Sequence, residues 1–138
     1  MTSGAPVYVK RIINAPIERV FQAWTDPEEL KRWHAPEPEG ILAAVSENHV
    51  GGKRSLTLII DGRTYHIAGV YHEFDPPYKL IYSWEDPSAP TNSITTVLFR
   101  QISENETELE VSYTNPPNGT VQDGLRIILG HLQHYLAA

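Results

Sequence analysis

The sequence predicts an α+β fold: a curved antiparallel sheet wrapped around one long C-terminal helix, with two short helices after the first strand. Three features predict it. An extended apolar run ends at Ala15-Pro16, and Ile17, Val20, Phe21 and Trp24 then line up as one helical stripe. The long middle region alternates apolar and polar residues between turn signals, as antiparallel strands with one solvated face do. Near the end, Val121, Leu125, Ile128, Leu129, Leu132 and Leu136 form a continuous apolar face over about four helical turns. A helix of that kind must bury its face, and the concave side of a twisted sheet offers the surface.

The elements follow in order. Residues 7–14 read as the first strand. Pro16 suits a first helical position, because its ring presets φ and it lacks only an N–H that would go unpaired there. Thr25-Asp26-Pro27 breaks that helix, and Asp26 or Thr25 can cap a second one ending near Trp33. Residues 40–45 make a second strand of weak alternation. Gly51-Gly52 turns the chain into a third strand, 54–60, with Leu56, Leu58 and Ile60 on one face. Asp61-Gly62 is a hairpin signal, and the chain returns through 64–74 as a fourth strand. Asp75-Pro76-Pro77 turns it into the fifth, Lys79–Trp84.

After the loop 86–90 comes a sixth strand, 93–102, with Thr95, Val97 and Phe99 on one face. Glu104-Asn105-Glu106 turns the last strand, where Leu109, Val111 and Tyr113 alternate with Glu110, Ser112 and Thr114. Residues 115–119 exclude regular structure, and Thr120-Val-Gln-Asp123 is a capping-box variant that opens the final helix. Inside that helix Gly124 and Gly130 each cost about 1 kcal/mol relative to alanine, which implies tight packing or space kept for something.

Composition narrows the function classes. A chain of 138 residues is expected to form one domain, 1–138, burying roughly 70% of its unfolded surface. The net charge of −6, with both signs interspersed, offers no basic face to nucleic acid or anionic membrane. Zero cysteines exclude a disulfide framework, a thiolate zinc site and a cysteine nucleophile. The first residues lack the basic start and apolar core of a secretory signal, and no apolar stretch approaches the ~18 residues of a membrane span. A cytoplasmic protein without integral membrane association is the expectation.

Metal, phosphate and nucleophile motifs are weak. His131 and His134 stand at a ligating spacing, but no HExxH pattern and no nearby carboxylate complete a set, and solvated histidines are the reading. Gly51-Gly52-Lys53-Arg54 lacks the spacing and hydroxyl residue of a phosphate-binding loop, and no Gly-x-Ser-x-Gly elbow occurs. No cofactor and no metal are expected.

The order of elements and several motifs resemble the activator-of-Hsp90-ATPase-homologue (AHSA1-like) branch of the START/polyketide-cyclase (SRPBCC) superfamily. The matching pieces are the stretch from Asn14 to Trp33, Gly51-Gly52, the stretch from Gly69 to Trp84 and the alternating last strand. The resemblance implies a helix-grip (START/Bet v1-like) fold with an internal cavity, in a superfamily that binds lipids, hormones or aromatic metabolites and includes some cyclases and hydrolases. The chain departs from the pattern at His34, where a second aromatic often follows, and at Gly124-Leu125, where Gly-Trp is usual. The co-chaperones that name the branch carry a separate Hsp90-binding domain for which this chain has no room, so Hsp90 activation is not implied.

The resemblance turns the Leu80, Tyr82 and Trp84 face inward, where the polar tips of Tyr82 and Trp84 either orient a ligand or fill the core. Tyr113 reads the same way, Trp24 reads as core, and Trp33 lines the cavity entrance. On the fourth strand the resemblance favours Gly69, Tyr71 and Glu73 as inward, making Glu73 the candidate acid–base group, its pKa raised by desolvation. The structural alternative is a Glu73 hydrogen-bonded to a neighbouring strand. In the reversed register His66 and His72 enter instead.

Three functions follow. The first is a binding module for a small apolar or aromatic molecule, contacted by Trp33, Leu58, Tyr71, Glu73, Tyr82, Trp84, Phe99, Tyr113, Leu129 and Leu132. The second is a cyclase-like or hydrolase enzyme using Glu73 or a histidine. The third is a chaperone-associated interaction domain, requiring an exposed apolar patch. An exposed strand edge can also pair in a homodimer.

Overall fold

Alternation and helical period together build β1 (Val7–Ile13), α1 (Ile17–Thr25), α2 (Pro27–Trp33), β2 (Ile41–Ser46), β3 (Lys53–Ile60), β4 (Arg63–Asp75), β5 (Lys79–Trp84), β6 (Ser93–Ser103), β7 (Glu106–Thr114) and α3 (Val121–Ala137). The computed structural model describes residues 7–33, 41–60, 62–84, 93–114 and 121–137, with the side chains at 41, 42, 58, 60, 65, 84 and 121–124 outside that description. His34, Asp61, the loop 86–90, residues 115–119, the cap at Thr120 and the side-chain space around Gly124 therefore fall outside the described residues.

The strands pair antiparallel throughout in the order β1-β7-β6-β5-β4-β3-β2. One face gathers the core: Val9 and Ile13 from β1, Leu56 from β3, Tyr71 from β4, Leu80 and Tyr82 from β5, Val97 and Phe99 from β6, Leu109 and Val111 from β7. The α1 helix packs on β6 and β7, α2 on β2, and α3 on β1 and α2. Among the described side chains of α3, Leu125, Leu129 and Leu132 are buried. This is the helix-grip arrangement.

Local chemistry sets the helix ends. Pro16 is the N-cap, with extended backbone at ψ 154°, and not the first helical residue. Its carbonyl accepts from the N–H groups of Arg19 and Val20, so the preset φ serves one position earlier than expected. Asp26 caps α2, its Oδ1 accepting from the N–H of Glu28 at 2.9 Å. Thr25 instead turns its hydroxyl back onto the Phe21 carbonyl within α1.

β4 departs from simple alternation. Tyr71 pairs with Tyr82, but Glu73 pairs with Ile81 and Phe74 with Leu80. His72 is therefore the extra residue of a β-bulge, and a bulge shifts every later side chain to the opposite face. Gly69 and Tyr71 are buried before it and Phe74 packs inward after it, 5.5 Å from Phe21 and 5.1 Å from Tyr71 by ring centroids. Upstream, Gly69 lies so close to β5 that a Cβ there would collide with the Ser83 carbonyl, and the Ser83 hydroxyl accepts from the Val70 N–H at 3.1 Å.

At Gly130 a Cβ would stand 3.2 Å from Nη1 of Arg11, the end of a flexible side chain that need give only a few tenths of an ångström.

Candidate functional site

The interior holds a polar group that strand parity puts there. Arg54 shares the even positions of β3 with Leu56, and it is only 1% exposed. The β4 residue opposite is Gly69, so no side chain at that position competes with the guanidinium. Its Nη1 donates to the Trp24 carbonyl and to the Tyr71 hydroxyl, each at 3.0 Å. Its Cζ lies 4.5 Å from the centroid of the Tyr82 ring and 6.0 Å from that of Tyr71.

A hydrogen-bond chain runs outward from this guanidinium. The Ser46 hydroxyl donates to Asn48 Oδ1 at 2.6 Å, so Tyr71, 2.6 Å from Ser46 Oγ, must donate to it. Asn48 Nδ2 donates in turn to the Thr25 carbonyl at 3.3 Å. Each donor in such a chain polarises the next.

Tyr82 is the second centre. Its hydroxyl accepts from the Trp24 indole N–H at 3.2 Å, and burial pushes its phenol well up, against the opposing Arg54 charge. Burial also works against the charge on Arg54, but Tyr82 and Tyr71 outweigh it and the guanidinium pKa lies above its ordinary value. Across the sheet Tyr82 faces Thr95, and Thr95 faces Tyr113. Thr95 is fully buried, and its hydroxyl has no hydrogen-bond partner among the described residues.

The candidate residues separate accordingly. Tyr71, Tyr82, Phe99, Leu129 and Leu132 are buried together in the interior, with Tyr113 packed against them. Trp33 is deeper than an entrance position: it is 1% exposed, donates to the Ala23 carbonyl at 2.9 Å and packs tilted against Trp24 with ring centroids 5.2 Å apart. The side chains of Leu58 and Trp84 lie outside the described residues.

Glu73 is corrected. The bulge at His72 turns it to the outer face, where its side chain is 43% exposed and pairs with Lys79 Nζ at 3.6 Å. His66 and His72 are exposed as well, His66 Nδ1 lying 2.9 Å from the Thr57 hydroxyl, so the reversed register does not occur. His131 is half-buried and His134 exposed, and among the described residues no group of three or more His, Asp and Glu side chains could hold a metal ion.

Sequence reasoning missed Arg54, Ser46 and the double role of Trp24. For Arg54 a signal existed, since it continues the even-numbered apolar face of β3. Thr95 stood on the expected inward face, but nothing in the sequence distinguished it from its neighbours.

A second cluster ties the helices together. Glu29 Oε1 accepts from Arg19 Nη1 at 2.6 Å and from the Tyr135 hydroxyl at 2.8 Å, and the Arg19 guanidinium lies 5.7 Å over the Tyr135 ring. α1, α2 and the end of α3 meet at this carboxylate.

The profile of the activator of Hsp90 ATPase homolog 1-like protein family matches residues 14–137. No curated protein matches the chain. Among solved structures, a protein from Rhodobacter sphaeroides superposes with a TM-score of 0.84 at 21% identity, over 99% of this chain and 95% of that one. An AHSA1-like protein from Aeromonas hydrophila gives 0.83 at 19% identity, over 96% and 92%. An HSP90 activator from Plasmodium falciparum gives 0.76 at 25% identity, over 97% of each chain. Among the described residues no helix is long and apolar enough to cross a membrane.

Proposed function

We propose, from its membership of the activator of Hsp90 ATPase homolog 1-like family, that this chain is a cytoplasmic binding protein for a small apolar or aromatic molecule. The molecule is held between the inner face of the sheet and α3, against Tyr71, Tyr82, Phe99, Tyr113 and Leu129. The observation that carries this reading is Arg54, a charged group buried against the Tyr82 ring in a largely apolar interior. Burying a guanidinium costs several kcal/mol, and a core that had only to pack would place an aliphatic residue there. Apolar walls with a few converging polar groups are the make-up of a ligand site. No catalytic step is assigned, since the acid–base candidate Glu73 stands on the outer face.

Native mass spectrometry of the purified protein tests this, followed by thermal-shift screening with fatty acids, sterols and aromatic polyketide-like compounds. A co-purifying apolar mass, or a melting temperature that rises with ligand concentration, supports binding. No mass and no shift across the panel would refute it.

A second reading is association with a chaperone, favoured by the likeness to the Plasmodium HSP90 activator over nearly the whole of both chains. Stimulation of Hsp90 ATPase turnover by the purified protein would support it, and an unchanged turnover would remove it.

A further inference from the structure

We infer that the bound molecule carries a carboxylate, received beside Tyr82 between the Thr95 hydroxyl and the Arg54 guanidinium. This rests on the binding reading above and specifies the ligand class for the same site.

Two observations carry it. The first is Thr95, whose hydroxyl is fully buried and has no hydrogen-bond partner among the described residues. Leaving such a group unsatisfied costs about 1–3 kcal/mol, whereas valine would fill the same space without that cost. The next inward residues of β6, Val97 and Phe99, are indeed apolar. A hydroxyl retained at this point is a donor left available to an acceptor.

The second observation is charge. Thr95 stands opposite Tyr82 in the β5–β6 register, and the Arg54 guanidinium lies over the same Tyr82 ring. An oxygen at the edge of that ring meets the hydroxyl from β6 and the positive charge from β3. In a low-dielectric interior the guanidinium favours an anionic oxygen over a neutral one far more than it would in water. The surrounding phenol does not oppose this, because burial keeps Tyr82 protonated. Trp24 and Tyr71 already hold the guanidinium in place, so little ordering is left to be done on binding.

Matched pairs of ligands test the assignment. Dodecanoic acid with its methyl ester, and 2-naphthoic acid with its methyl ester, are titrated by calorimetry at pH 7.5 against the natural protein, Thr95→Val and Thr95→Ser. The acids should bind at least about tenfold tighter than the esters, as hydrogen bonds to charged groups imply. Thr95→Val should fold with an equal or higher melting temperature yet lose about three- to tenfold of that preference, and Thr95→Ser should restore it. Esters binding as well as acids would overturn the carboxylate and leave the binding reading standing. No binding by either class would overturn both. A preference unchanged in Thr95→Val would overturn the role given to Thr95.

Discussion

The guanidinium of Arg54 lies 4.5 Å from the ring centroid of Tyr82, two strands away across β4. The pairing joins β3 to β5 over Gly69, the β4 residue opposite Arg54. A desolvated cation over an aromatic face is worth about 2 kcal/mol, and here it also secures the charge at the centre of the inner face. Stability and the proposed ligand recognition would therefore depend on the same group.

Arg54→Met tests the first of these roles. It keeps most of the volume but leaves the Trp24 carbonyl and Tyr71 hydroxyl without their donor. Unsatisfied buried groups of this kind cost about 1–3 kcal/mol each, so urea unfolding should show a loss of about 2–4 kcal/mol. A loss below about 0.5 kcal/mol would mean that neither bond contributes on balance.

Arg54 also shows what the sequence made legible and what it did not. The order of elements, the antiparallel pairing and the helix-grip layout follow from period and turn signals, because burial on one side imposes a regular pattern. Arg54 obeys that pattern by position and violates it by chemistry, so its place on the even face of β3 was the only signal, and its charge argued against burial. Glu73 was misplaced for a different reason. Parity counts residues, and the additional residue at His72 resets the count without leaving a mark in composition. The hydroxyl of Thr95 became distinctive only when its surroundings were known.

Trp24 links Arg54 to Tyr82, its carbonyl accepting from Arg54 and its indole donating to Tyr82 at 3.2 Å. Trp24→Phe keeps an aromatic ring but removes the indole donor together with part of the buried ring volume, so a loss of about 1–3 kcal/mol is expected in denaturant unfolding. Trp24→Ala opens a larger cavity and should cost about 3–5 kcal/mol. Tyr82→Phe removes the acceptor alone, and a loss near that of Trp24→Phe would show that the hydrogen bond, and not the packing, dominates.

Glu29 should hold the end of α3 against the helix pair. Its Oε1 serves both Arg19 and Tyr135, so the two bonds are coupled through one atom. Glu29→Gln is expected to cost about 1–2 kcal/mol and Tyr135→Phe about 1 kcal/mol. The double variant should lose less than the sum. Hydrogen exchange at the C-terminal amides of α3 should accelerate in each, and unchanged protection there would dissociate the cluster from the docking of the helix.

On the outer face, Glu110 accepts from the Tyr8 hydroxyl at 2.9 Å and pairs with Lys10 Nζ at 3.3 Å. The Tyr8 hydrogen bond is the main cause holding this carboxylate below its ordinary range. A depressed folded-state pKa contributes stability above the unfolded pKa and loses it as pH falls through the folded value. Tyr8→Phe should therefore raise the Glu110 pKa and flatten the fall in stability on acidification. Carboxyl-carbon NMR titration of the two proteins reads this directly, and an unmoved Glu110 would assign the depression to Lys10.

Deleting His72 tests the account of β4. The pairing before the bulge places Tyr71 opposite Tyr82, and the pairing after it places Glu73 opposite Ile81. Without His72 those pairs become consecutive, so the ladder is regular, with Tyr71 inward, Glu73 outward and Phe74 inward as before. The deletion should then cost only the local twist that a bulge supplies, about 1 kcal/mol, a typical value for a change away from the packed core. The chain has no cysteine, so single reporters are clean. Glu73→Cys should react readily with a thiol reagent in both the natural and the deleted background, and Phe74→Cys should be protected in both. Were the deletion to exchange those reactivities, Tyr71 and Glu73 would not have become neighbours in one regular ladder with β5, and the bulge could not be what sets the faces of Glu73 and Phe74.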